Sequence, residues 1–154
     1  MKLNELIQNI KAISVSDFSD IKEISDITNN SREVQSGSLF VAVTGFNVDG
    51  HQFINDAISK GAVAVVLENN EEFPDELFSH SNVVKIVVAN SRKAFADLAC
   101  EFYGHPSRQL KLVGVTGSNG KTTTSFYVKN LFETAGYKTG LLGTISNIVS
   151  EKIE

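Results

Sequence analysis

The stretch from Leu110 to Gly136, LKLVGVTGSNGKTTTSFYVKNLFETAG, constrains the fold more than any other part of the chain. Its short apolar run at 112–115 has the length and β-branched content of a buried strand. A glycine-bounded turn, GSNG at 117–120, follows, and then Lys121 and three threonines. Apolar residues next recur at helical spacing up to Gly136, which suits the left-handed position after a helix. The sequence therefore predicts a strand, a glycine loop and a helix that begins at Lys121.

This order of elements is typical of a phosphate-binding loop. The first turn of a helix leaves backbone N–H groups without intrahelical partners and carries the positive end of the helix dipole. Glycines let that backbone approach a phosphate closely, a lysine adds positive charge, and a Thr hydroxyl ligates Mg²⁺. We therefore predict that Lys121 places a positive charge on the outer phosphates of a bound group and that Thr122 is a metal ligand. The predicted phosphate-binding residues are Gly117, Ser118, Asn119, Gly120, Lys121 and Thr122.

One residue departs from the general pattern G-x-x-x-x-G-K-[ST]. Val115 stands where that pattern has its first glycine, so the chain contains only the shorter G-S-N-G-K-T. The alternative interpretation is a glycine-rich turn followed by an ordinary lysine. The correct order of strand, turn, Lys-Thr and helix favours the phosphate loop over that alternative.

Composition limits the class of protein. Of the 154 residues 42% are hydrophobic and 21% charged, which predicts a packed core. A formal net charge of −4 argues against a general surface for nucleic acid or anionic membrane. Cys100 is the only cysteine, which excludes a disulfide framework, and no apolar run reaches membrane-spanning length. We therefore expect a cytoplasmic protein that binds neither nucleic acid nor membrane.

Strands and helices alternate before the glycine loop. We predict strands at 38–43, 62–67 and 83–89, helices at 3–10, 51–60 and 91–103, an edge strand or irregular segment within 15–27, and a strand at 139–142 after the loop helix. The unit from 38 to 67 should be a β-α-β unit with parallel strands. Ser91 is the expected N-cap of the helix that follows it. The predicted fold class is α/β.

We expect a domain boundary near Asn90. Residues 1–90 would form a small α/β substrate-binding domain, and residues 91–154 would begin a P-loop-type ATP-binding domain with a parallel sheet. A sheet of that type needs further β-α units to cover both of its faces. The chain is therefore expected to be the N-terminal part of a longer protein.

Two polar features have competing interpretations. The acidic segment 68–81 is either a metal cluster or a solvated loop, and its spacing favours the loop. His51 is either catalytic or a cap or packing residue at the start of a helix, and the second interpretation is favoured. The sequence shows no Ser-His-Asp, paired-carboxylate or metal-ligand arrangement.

Four segments of the chain resemble the Mur ligase family, the enzymes that build the peptide stem of peptidoglycan. They are NSREVQSGSLFVAVTGFNVDGHQFI at 30–54, FYGHPS at 102–107, LVGVTGSNGKTTT at 112–124 and GLLGTI at 140–145. The second and the fourth are most similar to the family members that add the third residue of the stem. The resemblance covers most of the chain from Ile27 onward.

The resemblance implies an ATP- and Mg²⁺-dependent ligase, in which Gly117 through Thr122 hold the ATP phosphates and Lys121 is catalytic. Such an enzyme adds a diamino acid to UDP-MurNAc-L-Ala-D-Glu through an acyl phosphate, and 154 residues alone are expected not to catalyse it. The family places the UDP end of the substrate at the residues matching Asn29, Ser31, Phe46, Asn47 and Val48. Their chemistry agrees in part, because hydroxyl and amide groups can bind uracil or ribose and an aromatic ring can stack on a base. Arg32 would neutralise pyrophosphate, unless Ser31 and Arg32 only brace a turn.

The chain differs from the family pattern at Asn30, where Asp is usual, and at Ser118, where Thr is usual. Ser118 keeps the hydroxyl, whereas Asn30 loses a charge and leaves the role of that position open.

Two other functions also remain open. One is the ligase of the following step, which shares the first signature and the loop, and the other is a non-catalytic module that binds a nucleotide sugar. A GTPase is disfavoured because no base-selecting motif is present.

Overall fold

The structure is a computed structural model that describes residues 1–8, 10–16, 22–45, 48–68, 71–149 and the backbone of 152–153. The chain divides into two compact units, Met1–Leu110 and Lys111–Glu154. Each unit is described separately below.

The first unit is built on a five-stranded, mostly parallel sheet with the order β1-β5-β4-β3-β2. Its strands are β1 Ala12–Val15, β2 Asp26–Thr28, β3 Ser38–Val41, β4 Ala64–Leu67 and β5 Val84–Val88. Strands β2 to β5 pair in parallel, and β1 is antiparallel to β5. The predicted α/β class and the parallel pairing of β3 with β4 are confirmed. The uncertain segment 15–27 contributes to β1 and β2, although its residues 17–21 lie outside the described residues.

Helices cover both faces of this sheet. They are α1 Leu3–Ile7, a 3-10 turn Gly50–Phe53 that continues into α2 Ile54–Ser59, α3 Asp75–His80, α4 Ser91–Phe102 and a 3-10 turn Pro106–Gln109. Among the described residues, no helix combines the length and the apolar character needed to cross a membrane.

Alternation along the strands creates two apolar cores. Leu39 and Val41 of β3 face α1 and α4, whereas Phe40 between them faces α2 and α3. This alternation follows from the period of two of a β-strand. The buried Lys85 of β5 lies on the α3 side, where its Nζ donates to Asp75 Oδ1 at 2.7 Å and to the carbonyl of Phe73. The positive charge of Lys85 is thus neutralised by the carboxylate of Asp75, the first residue of α3.

Two local predictions are corrected by these elements. The acidic segment 68–81 is not only a loop, because Asp75–His80 forms helix α3, whose Phe78 is buried in the core. The N-cap of α4 is Asn90 rather than Ser91, since the Asn90 side chain accepts a hydrogen bond from the N–H of Lys93. Ser91 is instead fully buried and binds Glu68.

Helix α4 belongs to the first unit. Its Ala94 and Leu98 are buried together with Leu3 and Leu6 of α1. The division of the structure consequently follows Leu110, twenty residues after the boundary expected near Asn90. The roles of the two domains remain proposals.

The second unit contains helix α5 Lys121–Thr134 and three short strands, β6 Gly140–Leu142, β7 Asn147–Val149 and β8 Lys152–Ile153. The helix begins at Lys121 and Gly136 has a φ of +84°, as predicted. The three strands form an antiparallel sheet, which differs from the parallel sheet expected here. The apolar run 112–115 is not a strand, because its backbone pairs with no strand among the described residues. It is not buried either, since Leu112 is 81% exposed.

We predict that Leu98→Ala destabilises the chain by about 2–5 kcal/mol, because it removes a fully buried side chain from the core between α4 and the sheet. Urea unfolding followed by circular dichroism measures the change. The control is Leu110→Ala, at an exposed leucine at the end of the first unit. Equal effects of the two substitutions would contradict the docking of α4 on the first unit.

Candidate nucleotide-binding sites

Two of the residues predicted to bind the uridine nucleotide, Asn29 and Val48, lie in segments that follow neighbouring parallel strands. Asn29 directly follows β2, and the segment 44–50 follows β3. Since β2 and β3 are parallel neighbours, these segments lie at the same edge of the sheet, where open α/β sheets bind ligands. Val48 is 53% exposed there, whereas Phe46 and Asn47 lie outside the described residues.

A braced turn follows β2. The Thr28 hydroxyl accepts a hydrogen bond from the Asn30 N–H at 3.0 Å, and Asn30 Oδ1 accepts one from the Arg32 N–H at 3.1 Å. Asn30 Nδ2 also donates to Glu33 Oε1 at 2.9 Å. These contacts give Asn30 a role that the sequence left open. An aspartate at position 30 would place a second carboxylate beside Glu33, so the uncharged amide suits this chain.

Ser31 is held from the side of helix α2. Its carbonyl accepts a hydrogen bond from Lys60 Nζ at 2.8 Å, and the same ammonium lies 2.9 Å from Asp56 Oδ2. Hydrogen bonds from the Lys60 side chain and then from the Ser31 side chain lower the pKa of Asp56. Ser31 is only 7% exposed. These contacts agree with the interpretation of Ser31 as a residue that braces a turn.

Two glycines allow the loop after β3 to close tightly. The N–H of Gly45 donates to the carbonyl of Val48 at 3.1 Å, and the N–H of Gly50 donates to the carbonyl of Val43 at 3.0 Å. A Cβ at Gly45 would lie 2.4 Å from the Val48 oxygen, and a Cβ at Gly50 would lie 2.7 Å from the Val43 nitrogen. Both positions therefore require glycine because the backbone approaches itself too closely for any side chain.

His51 joins this loop to the end of β4. Its Nδ1 lies 2.6 Å from Asp49 Oδ1, and its Nε2 lies 3.0 Å from the backbone nitrogen of Glu68. A backbone N–H only donates, so Nε2 is the acceptor and Nδ1 carries the proton that is donated to Asp49. Hydrogen bonds from the backbone N–H and then the ring of His51 lower the pKa of Asp49. The ring is 6% exposed, so the packing interpretation of His51 is favoured over the catalytic one.

In the second unit, the glycine loop leads into the first turn of α5. Gly117 has a φ of +147° and Gly120 a φ of +75°, both in the region that favours glycine. The first backbone bond of the helix runs from the N–H of Thr124 to the carbonyl of Gly120 at 2.9 Å. The amides of 121–123 precede that bond and lie at the positive end of the helix dipole.

Lys121 folds back over the loop. Its Nζ donates to the carbonyl of Gly117 at 2.8 Å and to the carbonyl of Ser118 at 3.2 Å. The Lys121 ammonium is thus held against the exposed loop that leads into the first turn of α5. This combination of one cation and several N–H donors suits a phosphate group.

The fit for Mg²⁺ is partial. Thr122 presents an exposed hydroxyl in the first turn of α5. Among the described residues, no group of three or more His, Cys, Asp or Glu could hold a metal ion. Mg²⁺ usually takes one or two protein oxygens together with substrate phosphates and water, and Thr122 can supply one such oxygen.

One feature beside the loop was not singled out from the sequence. An open depression of about 410 Å³ runs along α5 from the threonines of the first turn, and it is lined by Thr122, Thr123, Phe126, Tyr127 and Asn130. The helical spacing of these residues next to Lys121 is the signal that could have identified them.

Comparison with known proteins identifies the family. Residues 23–103 match the model of the "Mur ligase family, catalytic domain". The matched residues all lie in the first unit, an α/β fold with a mostly parallel sheet. More particularly, the chain belongs to the Mur ligase family, and the resemblance noted from its sequence is confirmed.

The relatives give finer comparisons. The chain is 47% identical over 153 residues to a UDP-N-acetylmuramoyl-L-alanyl-D-glutamate–2,6-diaminopimelate ligase from Cytophaga hutchinsonii, and 43% identical over 152 residues to the ligase of the same name from Bacteroides fragilis. Each match covers 99% of this chain and 30% of the relative. A solved structure of MurF from Acinetobacter baumannii is similar with a TM-score of 0.59 and 25% identity, over 85% of this chain and 27% of that one.

We predict that Gly50→Ala destabilises the chain by about 1–3 kcal/mol, because the added methyl group overlaps the backbone of Val43. Gly114→Ala is the matched control, since a Cβ at Gly114 meets no atom within 4 Å. Urea unfolding of both variants measures the difference. The close approach described for the loop after β3 is refuted if the two variants unfold at the same urea concentration.

Proposed function

We propose that the chain is the N-terminal part of an ATP-dependent ligase of the MurE type. In this proposal the whole enzyme adds a diamino acid to UDP-MurNAc-L-Ala-D-Glu. We propose 2,6-diaminopimelate as that amino acid because the relatives are named as ligases of it. The 47% identity to such a ligase over 99% of this chain carries the proposal. Because the chain spans about 30% of the relatives' length, the reaction is proposed for the protein that contains it. The process would be peptidoglycan synthesis in the cytoplasm, and hence cell wall biogenesis, cell shape and cell division.

The chemistry transfers the γ-phosphate of ATP to the side-chain carboxylate of D-glutamate. The amine of the diamino acid then attacks the acyl phosphate, an amide bond forms, and inorganic phosphate leaves. Phosphoryl transfer asks a protein mainly to position the reactants and to stabilise charge. The amides of 117–123 would bind phosphate oxygens. Lys121 would exchange its contacts with the carbonyls of Gly117 and Ser118 for contacts with those oxygens. Mg²⁺, held by phosphate oxygens and the Thr122 hydroxyl, would neutralise further negative charge.

The uridine end of the substrate is assigned to the first unit. In this proposal Asn29 and Ser31, in the segment after β2, and Val48, in the loop after β3, contribute to a site near the carboxyl ends of these parallel strands. The tight closure of that loop, with two glycines in close backbone contact, favours a defined surface at this edge. In this proposal Phe46 and Asn47 complete the site.

The ligase of the next step, MurF, is the second candidate. The solved MurF structure with a TM-score of 0.59 favours it, because the similarity covers 85% of this chain. The 25% identity to that structure is well below the 47% identity to the diaminopimelate ligase, which favours the MurE type. A non-catalytic module that binds a nucleotide sugar is the third candidate.

We predict that Lys121→Ala in the full-length ligase lowers kcat by a factor of about 10²–10³, because it removes the cation that stabilises charge on the transferred phosphoryl group. The KM for UDP-MurNAc-L-Ala-D-Glu should stay unchanged. Lys138→Ala, an exposed lysine beyond α5, is the control. Steady-state release of phosphate measures both variants. Unchanged turnover of Lys121→Ala would support the non-catalytic module.

We predict that the full-length ligase consumes ATP with UDP-MurNAc-L-Ala-D-Glu and 2,6-diaminopimelate. It should not consume ATP with the UDP-muramoyl tripeptide and D-alanyl-D-alanine, the pair expected for MurF. Mass spectrometry of the products distinguishes the two reactions. A pentapeptide product from the second pair would exclude the MurE type.

A further inference from the structure

We propose that His51 is a positioning residue, which fixes the loop 44–50 for the uridine nucleotide by joining Asp49 to the end of β4. The inference rests on the proposed function, because it assigns a role in substrate binding to a residue that touches no substrate. Through its two ring nitrogens His51 connects Asp49 to Glu68, which lies 17 residues after His51.

The first contact holds the loop itself. Asp49 Oδ1 accepts hydrogen bonds from both the backbone N–H of His51 at 3.0 Å and its Nδ1–H at 2.6 Å. Asp49 also forms the antiparallel bridge with Thr44 that closes the base of the loop. The orientation of the imidazole ring therefore sets the position of the residue that ends the loop.

The second contact anchors the ring to the sheet. Nε2 accepts a hydrogen bond from the N–H of Glu68, the first residue after β4. The carboxylate of Glu68 in turn accepts hydrogen bonds from the backbone N–H of Ser91 at 2.6 Å and from the Ser91 hydroxyl at 2.8 Å. Because Ser91 starts α4, the loop is tied through His51 to both a central strand and a core helix.

Two further side chains hold the base of the same loop. Gln52 Nε2 donates to the carbonyl of Asp49 at 2.8 Å, and a guanidinium nitrogen of Arg92 donates to the carbonyl of Thr44 at 3.1 Å. Both ends of the loop are thus fixed from neighbouring elements, and His51 is the member of this set that is buried. Loss of its Nδ1–H would leave the Asp49 carboxylate held by the backbone N–H of His51 and would weaken the link from Asp49 to β4 while the rest of the core stays packed.

The geometry excludes a direct chemical role for the ring. Both nitrogens have protein partners, and the side chain is 6% exposed. A general acid or base must reach the proton that it transfers directly or through one water. His51 therefore acts through the position of the loop.

The test uses His51→Gln in the full-length ligase. Glutamine keeps an acceptor near the position of Nε2 for the Glu68 N–H and loses the Nδ1–H donor to Asp49. We expect the KM for UDP-MurNAc-L-Ala-D-Glu to rise about fivefold, as for the loss of one hydrogen bond, while kcat and the KM for ATP stay unchanged. Hydrogen exchange of the amides within 44–50 should become faster. His80→Gln, at an exposed histidine of α3, is the matched control.

The outcomes separate this inference from the proposed function. An unchanged KM for the uridine substrate, or a parallel change in kcat and in the KM for ATP, overturns the positioning role. If the wild-type ligase does not bind the uridine substrate, the proposed function fails and the positioning role fails with it. If His51→Gln does not fold, His51→Asn replaces it. That variant keeps a donor for Asp49 and loses the acceptor for Glu68, and the same selective rise in KM is expected.

Discussion

The parallel pairing of β2, β3, β4 and β5 is the constraint on which the first unit depends. The segments that follow parallel strands all begin at the same edge of the sheet. At this edge lie the turn after β2, the loop after β3, Glu68 after β4 and the start of α4 after β5. The apolar residues of these strands are buried on both faces, which leaves the edge as the place where polar groups collect. The candidate uridine site is a consequence of this topology.

Glycines serve two different physical purposes in the chain. At Gly45 and Gly50 the backbone passes so close to Val48 and Val43 that a side chain has no room. At Gly120 there is open space, but the backbone has a left-handed φ that starts helix α5 at Lys121. The first use shapes a loop by close contact, and the second turns successive amides toward one side of the chain. The second use leaves the N–H groups of 121–123 without intrahelical acceptors, as a phosphate-binding loop requires.

Local patterns were sufficient for much of this description. The helical spacing after Lys121 and the apolar runs of β3 to β5 predicted elements that the structure contains, because both signals depend on neighbours in sequence. The N-cap of α4 was misplaced by one residue, since Asn90 and Ser91 are equally good caps and Glu68 decides between them. The run 112–115 has the composition of a strand, but a strand forms only when its backbone pairs with a neighbouring strand, and the run has no such neighbour among the described residues. The roles of Lys60, Lys85 and His51 depend on partners 10 to 29 residues away, which no local pattern shows.

Hydrogen exchange of the full-length ligase, with and without each nucleotide, tests the central claim most directly. The claim is that the sheet edge of the first unit binds the uridine nucleotide while the loop before α5 binds the phosphates of ATP. The account predicts that UDP-MurNAc-L-Ala-D-Glu slows exchange in peptides covering 29–33 and 43–50, and that ATP slows exchange in peptides covering 114–123. Slowed exchange of 114–123 by the uridine substrate alone, or no change at the sheet edge, would contradict it.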